Sequence, residues 1–253
     1  MPIPEIPKGF PVLEKLVIQD CVMLMRYMGQ TPMKSISVRY LEEIYGDAWF
    51  GFLEAMKNGV VHDQIQSVDF DCADGDQFSQ PYSVETISPL LCYTNLSSVH
   101  LKNLHGFNFD DDAIDAMASS WKELRKFKVE TAWQPPPRAT YKSLVSFARH
   151  NARLEELVIL FDATTITKEI LEARPWKGIR NQSLRTLGVR CSPIETPDLV
   201  ADFLTDIFPK LVWSVFVDLD PWVRAAHQSP PPGQLLCERW IEVGRLLRAN
   251  MGR

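Results

Sequence analysis

The stretch 153–162, RLEELVILFD, sets Leu154, Leu157 and Ile159 in the spacing L-x-x-L-x-I. A strand buried on one face alternates strictly, so the longer step from Leu154 to Leu157 reads as a corner leading into a short strand. The same frame recurs as LEKLVI from Leu13, MKSISV from Met33, IQSVDF from Ile65, LSSVHL from Leu96, LRKFKV from Leu124 and LRTLGV from Leu184, with a degenerate LVWSVF from Leu211. After a first interval of 20 residues the starts fall 27 to 32 residues apart. Apolar residues placed by chance do not keep such a beat, and the recurrence decides the fold.

A period of roughly thirty, with L-x-x-L-x-L followed by a helix-length stretch, is the leucine-rich-repeat signature in a long form. Strands stacked about 4.8 Å apart in front of wider helices force the sheet onto the inside of a curve. The sequence therefore predicts an α/β leucine-rich-repeat solenoid, a horseshoe with a concave parallel sheet and convex helices. Because each repeat packs on its neighbours, residues 1–253 are expected to form a single domain of about eight irregular repeats. After SPPPG (229–233), Leu236, Trp240, Val243 and Leu247 fall at helical spacing, predicting a C-terminal capping helix near 234–250. The ladder begins at Leu13, so residues 1–12 or an upstream portion are expected to shield the first unit.

Helical punctuation fills the intervals. Asp47 is a plausible N-cap for Trp49, Phe52, Leu53 and Met56, with Asn58-Gly59 as the stop. Ser88-Pro89 and Thr196-Pro197 each read as a cap followed by a first-turn proline. Asp110, Asp111 and Asp112 precede Ile114 and Met117, where carboxylates suit the positive end of a helix. Repeats of this kind favour Asn or Cys just past the strand, turned inward onto the next loop. Cys21 fits, while later copies place Leu41, Ala73, Leu104, Ala132, Asp162, Ser192 and Leu219 there.

Hydrophobic content of 45% and charged content of 23% match a folded soluble protein. A net charge of −5 gives no electrostatic reason to expect nucleic acid, and the apolar runs are too short for a membrane span. No secretory signal is legible at the N-terminus, and Cys21, Cys72, Cys92, Cys191 and Cys237 lack C-x-x-C pairing. Reduced thiols in a cytoplasmic or nuclear protein are the expectation.

Catalytic and metal signals are weak. The run DFDCADGD (69–76) departs from calcium-loop spacing, and His62, His100, His105, His150 and His227 show no metal motif. Hydrolase elbows, phosphate loops and dinucleotide fingerprints find no match, so neither an enzyme nor a metal or cofactor site is expected. WQPPPRAT (133–140) and SPPPG lack P-x-x-P and read as loops.

If positions 0, +3 and +5 of each copy enter the core, positions +2, +4 and +6 line the concave face. That face runs from acidic Asp69 and Asp71 to basic Lys102, Lys126 and Lys128, then to an apolar step at Val158 and Leu160. An apolar patch bordered by charge is an interface anatomy. The expected partner-binding residues are His100, Lys102, Lys126, Lys128, Glu130, Glu156, Val158, Leu160 and Arg190.

Four blocks, ISPLLCYTNLSSVHL (87–101), FDDDAIDAMASSWKELRKFKV (109–129), FDATTI (161–166) and SPIETPDLVADFLTDIFPKL (192–211), together resemble the repeat domain of fungal F-box/leucine-rich-repeat proteins. The resemblance covers nearly the whole chain. It implies a non-catalytic protein-binding scaffold, similar to the substrate-recognition half of an F-box ubiquitin-ligase receptor. In that family an N-terminal F-box docks on the ligase adaptor, whereas here MPIPEIPKGF leads straight into a repeat. The adaptor is therefore an expected partner only if an F-box is supplied elsewhere. The alternatives are a truncated, repeat-only relative without a ligase role, and an enzyme with a concave-face site using His100 or Cys72.

Overall fold

The computed structural model describes residues 15–18, 33–39, 46–72, 82–103, 106–131, 136–212 and 232–251. Among these residues seven strands form one sheet: β1 (Lys15–Ile18), β2 (Ser35–Arg39), β3 (Ser67–Cys72), β4 (Ser98–Asn103), β5 (Lys126–Thr131), β6 (Glu156–Val158) and β7 (Thr186–Gly188). Their order across the sheet is their order in the chain, and every pairing is parallel. Helices lie between the strands, α1 (Gly46–Gly59), α2 (Val84–Ile87), α3 (Asp111–Ser120), α4 (Tyr141–His150) and α5 (Lys168–Ala173), and α6 (Pro197–Ile207) follows β7. A last helix, α7, spans Pro232–Met251.

The core follows the repeat frame. In the six copies beginning at Met33, Ile65, Leu96, Leu124, Leu154 and Leu184, positions 0, +3 and +5 are all buried, the least so being Val129 at 7% exposure. Burying a Leu, Ile, Val or Phe side chain contributes roughly 1.5–3 kcal/mol, so these positions supply the main cohesion of the sheet. Helix faces complete the core, with Phe147 of α4 against Phe127 of β5 at 5.0 Å between ring centroids, and Phe203 of α6 against Trp176 at 4.7 Å.

A backbone device repeats with the frame. The carbonyls of Lys34, Gln66, Ser97, Arg125 and Glu155, all at position +1, each accept two N–H groups from the next copy. Ser97 O, for example, accepts from Arg125 N at 2.8 Å and Lys126 N at 3.0 Å. Using both lone pairs of one oxygen locks the register at the corner before each strand.

Two helix starts differ from the sequence reading, and a third agrees in position. Asp47 lies inside α1, which begins at Gly46. Ser88 does not cap the turn after it: a 3-10 helix spans Ser88–Cys92 from Ile87, and the Ser88 hydroxyl donates back to Glu85 O at 2.9 Å. Thr196 is the N-cap residue of α6 with proline next, although its side chain makes no capping bond. Asp110 caps α3 as expected, accepting from Ala113 N at 3.0 Å. Asp111 instead reaches the following unit, accepting from the backbone and hydroxyl groups of both Thr140 and Ser143 at 2.6–3.1 Å.

Helix α7 covers residues 234–250 and a little more. Buried Trp240 donates to Ser192 O at 2.8 Å and meets the Phe161 ring edge-on at 6.0 Å, while Arg239 donates to Ile194 O at 2.6 Å. The last helix is thereby fastened to the turns after β6 and β7. The copy beginning at Leu211 falls mostly outside the described residues, as do Cys21, Leu41, Ala73, Leu104, Ala132 and Leu219. Among the described residues no helix is long and apolar enough to cross a membrane.

Candidate functional site

Strands of one register carry their outward side chains in rows across the sheet. Position +4 gives Ser37, Asp69, His100, Lys128, Val158 and Gly188 as successive register partners. Position +6 places Asp71, Lys102 and Glu130 side by side. Neighbouring strands bring directly paired side chains within roughly 5 Å, so the rows interact along their length.

His100 occupies the centre. Its Nδ1 lies 2.8 Å from Asp69 Oδ1, and its Nε2 lies 3.6 Å from Glu130 Oε1, an ion-pair contact longer than a hydrogen bond. The Ser37 hydroxyl donates to the other Asp69 oxygen at 3.2 Å. The Glu130 carboxylate, joined by Asp69, holds the imidazole pKa above its ordinary value against the opposing effect of burial. In return His100, with Arg190 and Lys128 adding to it, holds the Glu130 carboxyl below its ordinary value.

Two further pairs flank this centre. Lys102 Nζ is 3.0 Å from Asp71 Oδ2. Glu156 is shared, with Lys128 at 2.7 Å and Lys126 at 4.0 Å. Exposure varies along the face, from 55% for Lys126 and 46% for Lys102 to 32% for Lys128 and 24% for Glu156.

Most of the residues expected on this face stand together there. His100 and Glu130 belong to one ion-paired group with Asp69, Lys102 pairs with Asp71, Lys126 and Lys128 share Glu156, and Val158 continues the row beside Lys128. Two differ in setting. β6 and β7 end at Val158 and Gly188, so Leu160 and Arg190 lie past their strands. Leu160 is half-exposed, whereas Arg190 sits in a turn with φ of 49° and only 6% exposure. Gly188 follows from this packing, because a Cβ there would stand 3.0 Å from a Val158 methyl.

Sequence reasoning did not separate Ser37 and Asp69 from the other outward positions, yet they orient the imidazole. The available signal was their register with His100, which the constant +4 offset already implied. Cys72, the other residue considered for chemistry, has its backbone in β3. Among the described residues, no group of three or more His, Cys, Asp and Glu side chains is arranged to hold a metal ion.

The helix side carries a shallow groove lined by Lys168, Glu172, Arg174, Arg180, Asp202 and Asp206, among others. Its acidic anchor is internal: Asp206 accepts from Trp176 Nε1 at 2.9 Å and Arg180 at 3.0 Å. Burial opposes its ionisation, but the Trp176 and Arg180 bonds and the Arg174 charge prevail and hold its carboxyl below the usual value.

Fold and site together define an α/β protein with a parallel sheet in chain order, packed on one face and polar on the other. No family model matches the chain. No curated protein matches it either. Among solved structures it is similar to a chain of the Rad7 and Elc1 complex in yeast, with 14% identity, 83% of this chain and 79% of that chain covered, and a TM-score of 0.26.

Proposed function

We propose that this chain is a leucine-rich-repeat solenoid acting as a non-catalytic scaffold, and that the polar face of its sheet holds a protein partner. The observation that carries this reading is the division of the sheet: in the six copies from Met33 to Leu184 one face is packed, while the other displays three neighbouring groups of ion-paired, partly exposed charges beside Val158. Charges of that kind set orientation and association rate, and an apolar centre supplies affinity. His100 is held by two carboxylates, and the hydroxyl of Ser37 is directed at Asp69 rather than at the imidazole, an arrangement suited to holding a surface in shape.

The resemblance of the four sequence blocks to F-box receptors favours a partner recognised as a ubiquitin-ligase substrate, in the cytoplasm or nucleus. The ligase adaptor joins only where an F-box is supplied by another chain or segment. The test is quantitative affinity capture from cells with the wild-type chain and a variant carrying Lys126→Ala, Lys128→Ala and Glu130→Ala. The expected outcome is a protein enriched by the wild type and lost by the variant, with both chains unfolding at similar denaturant concentrations. Equal recovery by both chains would exclude this face as the binding surface.

A further inference from the structure

Because every strand pairing is parallel, the turns that lead from each helix into the next strand gather along one edge of the sheet. For β5, β6, β7 and the copy from Leu211 these turns, residues 119–126, 149–156, 172–186 and 206–211, hold ten Lys and Arg against five Asp and Glu. Each of the five carboxylates already has a basic partner. Glu123 meets Arg153, Glu155 meets Arg125 at 3.2 Å, and Glu156 is shared by Lys126 and Lys128. Glu172 lies 3.9 Å from Lys168, and Asp206 holds Arg180 at 3.0 Å. One turn further back on the helices, Asp115 faces His150, and Asp202 lines the groove beside Arg174 and Arg180. Among the described residues Lys122, Arg149, Lys177, Arg185 and Lys210 are left without a carboxylate in ion-pair contact, and all five are exposed.

Helix ends account for only part of this surplus. The negative C-terminal end of a helix favours cations within its last turn, which covers Arg149 in α4. Lys122 and Lys210 stand past the ends of α3 and α6, and Arg185 comes well after α5. Arg185 is pinned on backbone instead, its Nη1 donating to the carbonyls of Gln182, Leu184 and Lys210 at 3.0–3.4 Å. The surplus is also local: at the matching places before β3 and β4 the chain carries uncharged Gln64, Gln66, Asn95 and Ser97, with acidic Asp63 beside them.

Independently of the sheet-face reading, we propose that this basic edge is a second docking surface, taking an extended acidic stretch of a partner protein on Lys122, Arg185 and Lys210. Charge complementarity selects the sign of the occupant, because the edge holds twice as many cations as carboxylates and its surplus is unpaired. Strands stack about 4.8 Å apart, so the turns from β5 to the copy at Leu211 span roughly 15 Å, the length of about five extended residues. A nucleic acid fits less well. Trp121, Trp176 and Phe208, the aromatic residues of these turns, are buried and leave bases nothing to stack on. Glu123 and Glu155 also interrupt the cations, which suits carboxylates spaced by neutral residues better than an unbroken phosphate backbone.

Fluorescence anisotropy on the full chain at low salt tests this with three labelled probes: a peptide of alternating Glu and Ser, one of alternating Lys and Ser, and oligo-dT. The Glu/Ser peptide is expected to bind at least about tenfold tighter than either of the others. Lys122→Gln/Lys210→Gln, which alters exposed side chains only, should weaken it at least about fivefold, and adding Arg185→Gln should weaken it further. Lys57→Gln/Lys142→Gln removes the same net charge elsewhere and should leave binding within about twofold, as should Val158→Ser on the sheet face. Equal loss in the Lys57/Lys142 pair would mean attraction by overall charge and overturn the proposal. Loss in Val158→Ser with none in the edge pair would place the peptide on the sheet face and overturn it. Oligo-dT binding as tightly as the Glu/Ser peptide overturns it in favour of a general polyanion surface. Absence of Glu/Ser binding also overturns it, and the sheet-face reading is then judged separately by the capture experiment above.

Discussion

Protonated His100 places one positive charge between Asp69 and Glu130, with Ser37 behind Asp69, Lys102 on the same strand, and Lys128 and Arg190 close to Glu130. Its pKa is raised in the folded chain, so its stabilising contribution is full below the ordinary imidazole value of about 6.5 and is lost as pH rises through the folded value. Glu130 has the opposite sign. Its lowered pKa contributes above the ordinary carboxyl value of about 4.3 and is lost as pH falls through the folded value. Denaturant unfolding of wild type and His100→Gln should therefore differ most near pH 5.5 and converge above pH 8, about one to two units either side of the ordinary imidazole value. A difference that grows toward alkaline pH would contradict the geometry.

Tyr93 offers a second test at this scale. Its side chain is fully buried beside the His62 ring, its hydroxyl has no hydrogen-bond partner among the described residues, and burial pushes its pKa up. A buried donor without a partner costs about 1–3 kcal/mol, so Tyr93→Phe should leave the denaturation midpoint unchanged or raise it. A clear fall would mean that the hydroxyl makes a stabilising contact.

Between three successive units, side chains with an N–H donor three residues before the repeat leucine tie one unit to the next. Trp121 donates to Leu90 O at 3.2 Å, and Asn151 donates to both Ala118 O and Trp121 O at 3.1 and 2.7 Å. Asn181 then donates to Asn151 O at 2.6 Å. These bonds satisfy carbonyls left over at helix C-termini and in the turns after them. Asn151→Ala takes the side-chain donor from Ala118 O and leaves Trp121 O with Leu124 N alone, and should cost about 1–3 kcal/mol in a denaturant titration, whereas Ala152→Ser, one residue on and exposed, should change little.

Legibility in the sequence follows the same lines. Positions 0, +3 and +5 were readable because their burial repeats with a fixed period, and the +4 row was readable from the constant offset. The role of Asp111 was not, because three consecutive aspartates before a helix all look like caps, and only the packing of α4 on α3 sends one of them to Thr140 and Ser143. Trp121 and Asn151 share a position but not a residue type, so the sequence offers no common letter for a common task. Ser192 was marked as an inward position, and its hydroxyl does accept Phe161 N at 3.0 Å. The early ends of β6 and β7 were hidden because Leu160 and Arg190 keep the frame although their backbone leaves the sheet.

At the scale of the molecule, each described strand pairs with its sequence neighbours alone, so cohesion is a chain of nearest-neighbour contacts. Damage should then remain local. Trp240→Ala removes the buried indole that fastens α7 to the turns after β6 and β7, at a cost of about 3–5 kcal/mol. Hydrogen exchange should accelerate in α6 and β7 well before β3 and β4. Uniform acceleration across the sheet would show instead that the molecule opens as one unit.

The proposed binding face joins these scales, because side chains placed by single strands stand in one row only when the ladder of paired strands is intact. The most direct test of that claim is calorimetric titration of a captured partner, purified, against three forms of the chain. The forms are wild type, Lys102→Ala/Lys126→Ala/Lys128→Ala on the sheet face, and Lys168→Ala/Arg174→Ala on the helix side. The account predicts at least about tenfold weaker binding for the sheet-face form alone. Undiminished binding by that form, with loss in the helix-side form, would contradict it and move the working surface to the opposite side of the protein.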